Sequence, residues 1–204
     1  MALFDFFRRP PPIRDAAGLG DFIDRNAAFV VQKGLYEYAR ARAGHYSKVL
    51  FKEAGFQAAM EQSRWRAFPL GLAMVAEVTD AVLHGGSVAD RRAQVEAVNA
   101  LTLSVFDRYP VPAALNEDIW RNLRADLARR LALIGLHPPK RAMDIPEPFA
   151  KIYFDLMPIY EKLRVADFPA LHNYLKVTMC NIHDELSTRM DASVLTQALR
   201  AKAS

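Results

Sequence analysis

Residues 116–135, NEDIWRNLRADLARRLALIG, decide the fold. Ile119, Trp120, Leu123, Leu127, Leu131 and Ile134 recur at three- and four-residue steps, so an α-helix gathers all six on one face. A strand would send neighbouring members of that set to opposite faces. Asn116 stands where a side chain can cap the first turn, Glu117 and Asp118 follow at the positive end of the helix dipole, and Gly135 comes directly after the last apolar residue.

The same spacing extends outward in both directions. It predicts a helix over 21–43, with Ile23, Ala27, Val30, Val31, Leu35 and Tyr38 as its stripe and Gly44 as its stop. A helical region from Tyr46 reaches Pro69, where a missing N–H and a crowding ring predict a kink or a break near 66–68. Its continuation over 70–83 stops at Gly85 and Gly86, and Ser87 caps a further helix that runs to about Arg108. Residues 136–148, LHPPKRAMDIPEP, are the least helical stretch and read as a long connection. Beyond it come a helix over 149–163 with Pro158 inside, and another over 168–190 opened by Asp167 as cap with Pro169 in the first turn. A short helix over 193–202 follows. Alternating strand patterns are nearly absent. The expectation is an all-α, single-domain bundle of six to eight helices, proline-kinked near Pro69 and Pro158. An apolar and proline-rich arm occupies 1–14 and the bundle 15–204, with 136–148 as a point of subdivision.

Composition agrees with a packed core. Hydrophobic residues make up 51% of the 204 and charged residues 25%, which excludes disorder of the whole chain. A net charge of +4 permits anionic partners without requiring them. Cys180 is the single cysteine, so neither an internal disulfide nor a cysteine-rich zinc site can form, and a reducing cytoplasm is the expected compartment. The most apolar run, 68–83, is interrupted by Glu77 and Asp80 and falls short of the ~20 uncharged residues of a membrane span.

Motif searches argue against most catalytic classes. G-x-S-x-G, the phosphate-cradling G-x-x-x-x-G-K-[ST] and G-x-G-x-x-G, Glu-x-x-His and His-Glu-x-x-His do not occur. In HNYLKVTMCNIHDE (172–185), Cys180 and His183 share a helix face but make only two ligands, so neither a metal nor any other cofactor is expected. The basic residues Arg121, Arg124, Arg129 and Arg130 alternate with Asp118 and Asp126, the pattern of a solvated face, which argues against nucleic acid. One candidate pocket remains, with Glu77, Asp80 and His84 three and four residues apart on an otherwise apolar helix.

The opening MALFDFFRRPPP supplies the other candidate. Leu3, Phe4, Phe6 and Phe7 form an apolar tip, Arg8 and Arg9 follow, and Pro10 to Pro12 make a stiff spacer. Such a tip can dock on protein or touch an anionic membrane weakly. MALFDFFRRP, followed by an all-α domain, resembles the bacterial ubiquinol-cytochrome c chaperone family over those ten residues, and no function or site residue is carried over from that family. The expected activity is non-catalytic: a helical interaction or scaffold protein, cytoplasmic or peripheral at the inner membrane. Its expected contacts are a protein partner or a second copy of itself, made through the arm and the aromatic segments 147–163 and 166–177. The alternative expectation is a small helical enzyme or ligand-binding protein with its pocket at Glu77, Asp80 and His84.

Overall fold

A computed structural model describes residues 11–84 and 88–191, with side chains described outside 88–90. The phenylalanine tip with Arg8 and Arg9, the Gly85–Ser87 stop and cap, and the expected helix over 193–202 lie outside the described residues. Among the described residues the fold is a single all-α domain, 76% helical and without strands. Its α-helices are α1 (Ala16–Ala43), the single turn α2 (Ser47–Leu50), α3 (Ala54–Leu83), α4 (Val88–Phe106), α5 (Glu117–Ile134), α6 (Ala150–Asp155) and α7 (Phe168–Arg189). None of the described helices is long and apolar enough to cross a membrane.

Helix α3 is the centre. From Ala67 to Asp80 every residue is buried, as in a helix surrounded by others, and α1, α4, α5 and α7 all pack on it. Of the kink or break expected at Pro69 there is no break: the helix runs through it, since packing on all sides outweighs one lost hydrogen bond. Helix α1 starts five residues before Asp21, because Asp15 accepts the N–H of Gly18 at 2.7 Å and caps an earlier first turn. Its end is as expected: Gly44 adopts φ 51° and returns its N–H to the Arg40 carbonyl.

The C-terminal third departs more from expectation. Helix α6 stops at Asp155, so Pro158 lies beyond it rather than inside it. The Arg164 guanidinium takes the freed carbonyls of Phe154 and Asp155. Asp167 stands at the N-cap of α7 as expected, but its side chain makes no capping bond; the carboxylate instead accepts the Tyr38 hydroxyl at 2.8 Å and meets Arg42 at 3.0 Å, tying the start of α7 to the end of α1. At the opposite end of those two helices, Ile13 donates its N–H to the Arg189 carbonyl at 2.8 Å and accepts from Asp191, in the single extended contact among the described residues. The 136–148 connection is pinned to both halves: Ile145 is fully buried, Lys140 meets Glu77, and Glu147 meets Lys176.

Two close approaches set the spacing of the layers. At Gly71 of α3 a Cβ would lie 2.9 Å from the Ala27 carbonyl oxygen and 3.0 Å from a Val31 methyl, so α1 and α3 cross nearly backbone to backbone. On the other side of α1, the buried Tyr153 hydroxyl donates to the Val30 and Val31 carbonyls at 3.2 and 3.0 Å, directly over Gly34. Gly71→Ala should therefore lower stability by about 1–3 kcal/mol through overpacking. Gly55→Ala, where an added Cβ meets nothing within 4 Å, should raise it by ~0.5–1 kcal/mol through helix propensity. Urea unfolding of both variants checks the pair, and equal effects at the two sites would refute the crossing argument.

Tyrosine hydroxyls tie α1 to its neighbours repeatedly. Tyr174 donates to the Val30 carbonyl, and Tyr109 donates to Asp24 at 2.7 Å. Burial, aided for Tyr109 by the Asp24 carboxylate, pushes the Tyr109 and Tyr174 phenols up to about 12. Tyr153 is driven well above its usual value, chiefly by burial. A raised phenol pKa means that the unfolded chain ionises first. The contribution is therefore complete below the ordinary value of 10.0 and is lost as pH climbs from there through about 12. Urea unfolding stepped through that window should show stability falling steadily, with a shallower fall in Tyr109→Phe.

Candidate functional site

The three residues proposed as a pocket do not stand alike. Glu77 and Asp80 are buried one turn apart on α3, with their side chains 7% and 2% exposed, whereas His84 is exposed at the C-terminal cap of that helix. Each buried carboxylate has its own cation. Arg91 reaches Asp80 Oδ2 at 3.0 Å and also donates to the His137 carbonyl at 2.7 Å, so it joins α3, α4 and the connection after α5. Lys140 Nζ lies 2.8 Å from Glu77 Oε2 but off the line of a hydrogen bond, so this contact is a charge pairing. Asp80 Oδ1 and Arg91 Nε are buried with no hydrogen-bond partner among the described residues. Removing one partner of such a pair leaves a buried charge, so Asp80→Ala should cost about 3–5 kcal/mol. Combining it with Arg91→Leu should recover a large part of that loss, which a double-mutant cycle by denaturant unfolding measures directly.

The described cavities lie elsewhere on α3. One of about 450 Å³ opens between the second half of α1, the turn α2 and the first half of α3, within the usual range for ligand pockets. Its walls are aromatic: the Tyr36 and Phe51 rings are 4.8 Å apart, Phe51 and Phe56 5.2 Å, and Met60 completes the apolar side. Gln32 and Arg64 line both this cavity and a second of about 330 Å³ bounded by Val31, Trp65, Phe68 and Tyr109. The two together make one groove along the α1–α3 seam.

Two anchored polar units interrupt that groove: Gln57, whose amide donates to the Phe51 carbonyl at 2.9 Å, and the Glu61 cluster. Glu61 accepts the Trp65 indole N–H at 2.7 Å and an N–H of Arg64, whose guanidinium lies 4.7 Å from the centre of the Trp65 ring. The mouth mixes the exposed Tyr36 ring with the exposed polar side chains of Gln32, Lys33 and Gln57. Tyr36 is 47% exposed; Phe29, Tyr46 and Val49 are also exposed, outside the cavity lining. The groove offers apolar area, ring faces and one fixed ion pair, which is the equipment of recognition.

Neither aromatic segment singled out from the sequence forms this surface. Phe149 and Tyr153 are buried in the core, Leu156 is half-buried, and Tyr160 is exposed. The groove draws instead on Gln32 and Tyr36 from one helix and Phe51, Phe56 and Met60 from about twenty residues further along. Its trace in the sequence is the spacing Phe51, Phe56, Met60 across the helix interruption at Lys52 and Glu53. Among the described residues, no group of three or more His, Cys, Asp or Glu side chains gathers to hold a metal. Cys180 is a half-buried free thiol. No family model, curated protein or solved structure matches the chain.

Proposed function

We propose that this is a non-catalytic binding protein whose recognition surface is the α1–α3 groove, taking an apolar or aromatic side chain of a protein partner. The observation that carries this reading is the aromatic cavity of about 450 Å³ with the half-exposed Tyr36 at its mouth. Tyr, Phe and Met side chains are the types that concentrate binding energy in interface pockets, and Glu61 with Arg64 adds a fixed polar register beside them. The proposal places the protein in the cytoplasm. The arm, with Leu3, Phe4, Phe6, Phe7, Arg8 and Arg9, serves as a second contact to the same partner, to another copy, or weakly to the inner membrane.

The test is site-specific photo-crosslinking in the cell with the full chain. A photoreactive residue at Gln57, on the groove wall, should yield a discrete protein adduct that Met60→Glu abolishes. The same residue at Arg121, exposed and paired with Asp118 on the outer face of α5, should yield none. Identical adducts from both positions, or none from Gln57, would overturn the proposal.

A further inference from the structure

A third cavity, of about 300 Å³, lies between α3, α5 and the end of α6, and it is chemically unlike the aromatic groove. Its apolar lining is aliphatic: Leu70 of α3, Ile119 and Leu123 of α5, and Ile152 and Leu156 at α6. Ile119 and Leu123 belong to the apolar stripe of α5 and pack against the core on one side, yet are only half-buried, because their other side borders this opening. Arg66 and Arg130 stand at the same cavity.

Those two arginines are exceptions within the fold. Among the described residues, every other half-buried lysine or arginine has an oxygen partner. Arg64 has Glu61, Arg91 has Asp80, Lys140 has Glu77, Lys176 has Glu147, Arg189 has Glu185, and Arg164 has backbone carbonyls. Arg66 and Arg130 have no carboxylate or carbonyl partner among the described residues, and the Nε of Arg66 is buried without a hydrogen bond. Asn122 and Asp126 also line the cavity, and the Asp126 carboxylate accepts from Arg129 through Oδ1. Arg130 has only the Phe149 ring, 5.6 Å from its guanidinium carbon, and burial with the neighbouring Arg129 lowers its pKa. Two unpaired, half-buried cations beside aliphatic walls are well matched to an anion with an apolar tail. A guanidinium fork suits a carboxylate in particular.

We propose that this groove binds a medium-chain fatty acid, its carboxylate held by Arg66 and Arg130 and its chain laid along Leu70, Ile119, Leu123 and Leu156. The aliphatic walls suit an alkyl chain, and the two guanidinium groups at one cavity suit a single anionic head. The site is separate from the partner groove: Arg66, Pro69 and Leu70 of α3 face α5 and α6 here, whereas residues 56–65 and Phe68 line the groove on the α1 side.

Decanoate, kept below its micellar concentration, is the probe. Titrated into the full chain by calorimetry and by backbone-amide NMR, it should bind and shift residues 66–70, 119–130 and 152–156. Arg66→Gln and Arg130→Gln should each weaken binding about tenfold or more. Decanol, with the same chain and no charge, should bind the native protein no better than decanoate binds the double variant. Raising salt should weaken decanoate and leave decanol unchanged, a comparison that needs no variant and stands if a substitution harms folding. No binding of decanoate, shifts confined to the α1–α3 groove, equal affinity for decanol, or salt-independent binding would each overturn the proposal.

Discussion

The crossing of α1 over α3 at Gly71 is the contact on which the remaining packing depends. A backbone carbonyl, that of Ala27, takes the space where any other residue would carry a Cβ. Helices this close share one layer of small side chains and cannot slide without a clash. The Tyr153 hydroxyl fixes the opposite face of α1, reaching the Val30 and Val31 carbonyls above Gly34. Helix α1 is thus held between a central helix that excludes bulk and a tyrosine that supplies hydrogen bonds. The ties at its two ends, Ile13 with Arg189 and Tyr38 with Asp167, then align α7 beside it.

The interior charges follow a consistent rule that gives the exceptions their meaning. Glu77 and Asp80 project from the most buried stretch of α3, and each meets a cation from another element. Such pairs add little net stability over apolar substitutes, but they are costly to break, so they specify which loop lies against which helix. Here they hold the 136–140 segment and the start of α4 to α3. Against that pattern of complete pairing, Arg66 and Arg130 stand out as cations whose partner is not in the described fold.

Much of this was legible from spacing. The α5 stripe, the Asn116 cap and the Gly44 stop are all local, and helical periodicity reads them directly. The errors share one cause, which is that tertiary contacts overrode local signals. At Pro69 a kink or a break was expected, and there is no break because α3 is surrounded. Asp167 reads as a cap, but Tyr38 and Arg42, far away in the chain, take its carboxylate instead. Sites were harder to read than helices. Glu77 and Asp80 were visible as a polar break in an apolar run, but their cations, Lys140 and Arg91, sit on other elements with no spacing signature. The aromatic groove was missed because its walls come from two helices, and single-chain periodicity records only one face at a time.

The position of that groove nevertheless follows from the crossing. Helices α1 and α3 run antiparallel on either side of the 27–71 contact, so Gln32 comes opposite Arg64, and Tyr36 lies near Phe56 and Met60. Two helices pressed together at one point and crossing at an angle must diverge on either side, leaving a wedge that widens by a fixed amount with each turn. Small residues close the wedge at Gly71. Nine residues of α1 further along, ~13 Å at the helical rise, only large rings can reach across it. Tyr36, Phe51 and Phe56 fill the wedge partly and leave about 450 Å³ open. The tight crossing and the open groove are therefore two ends of one geometry, and a change that loosened the first would reshape the second.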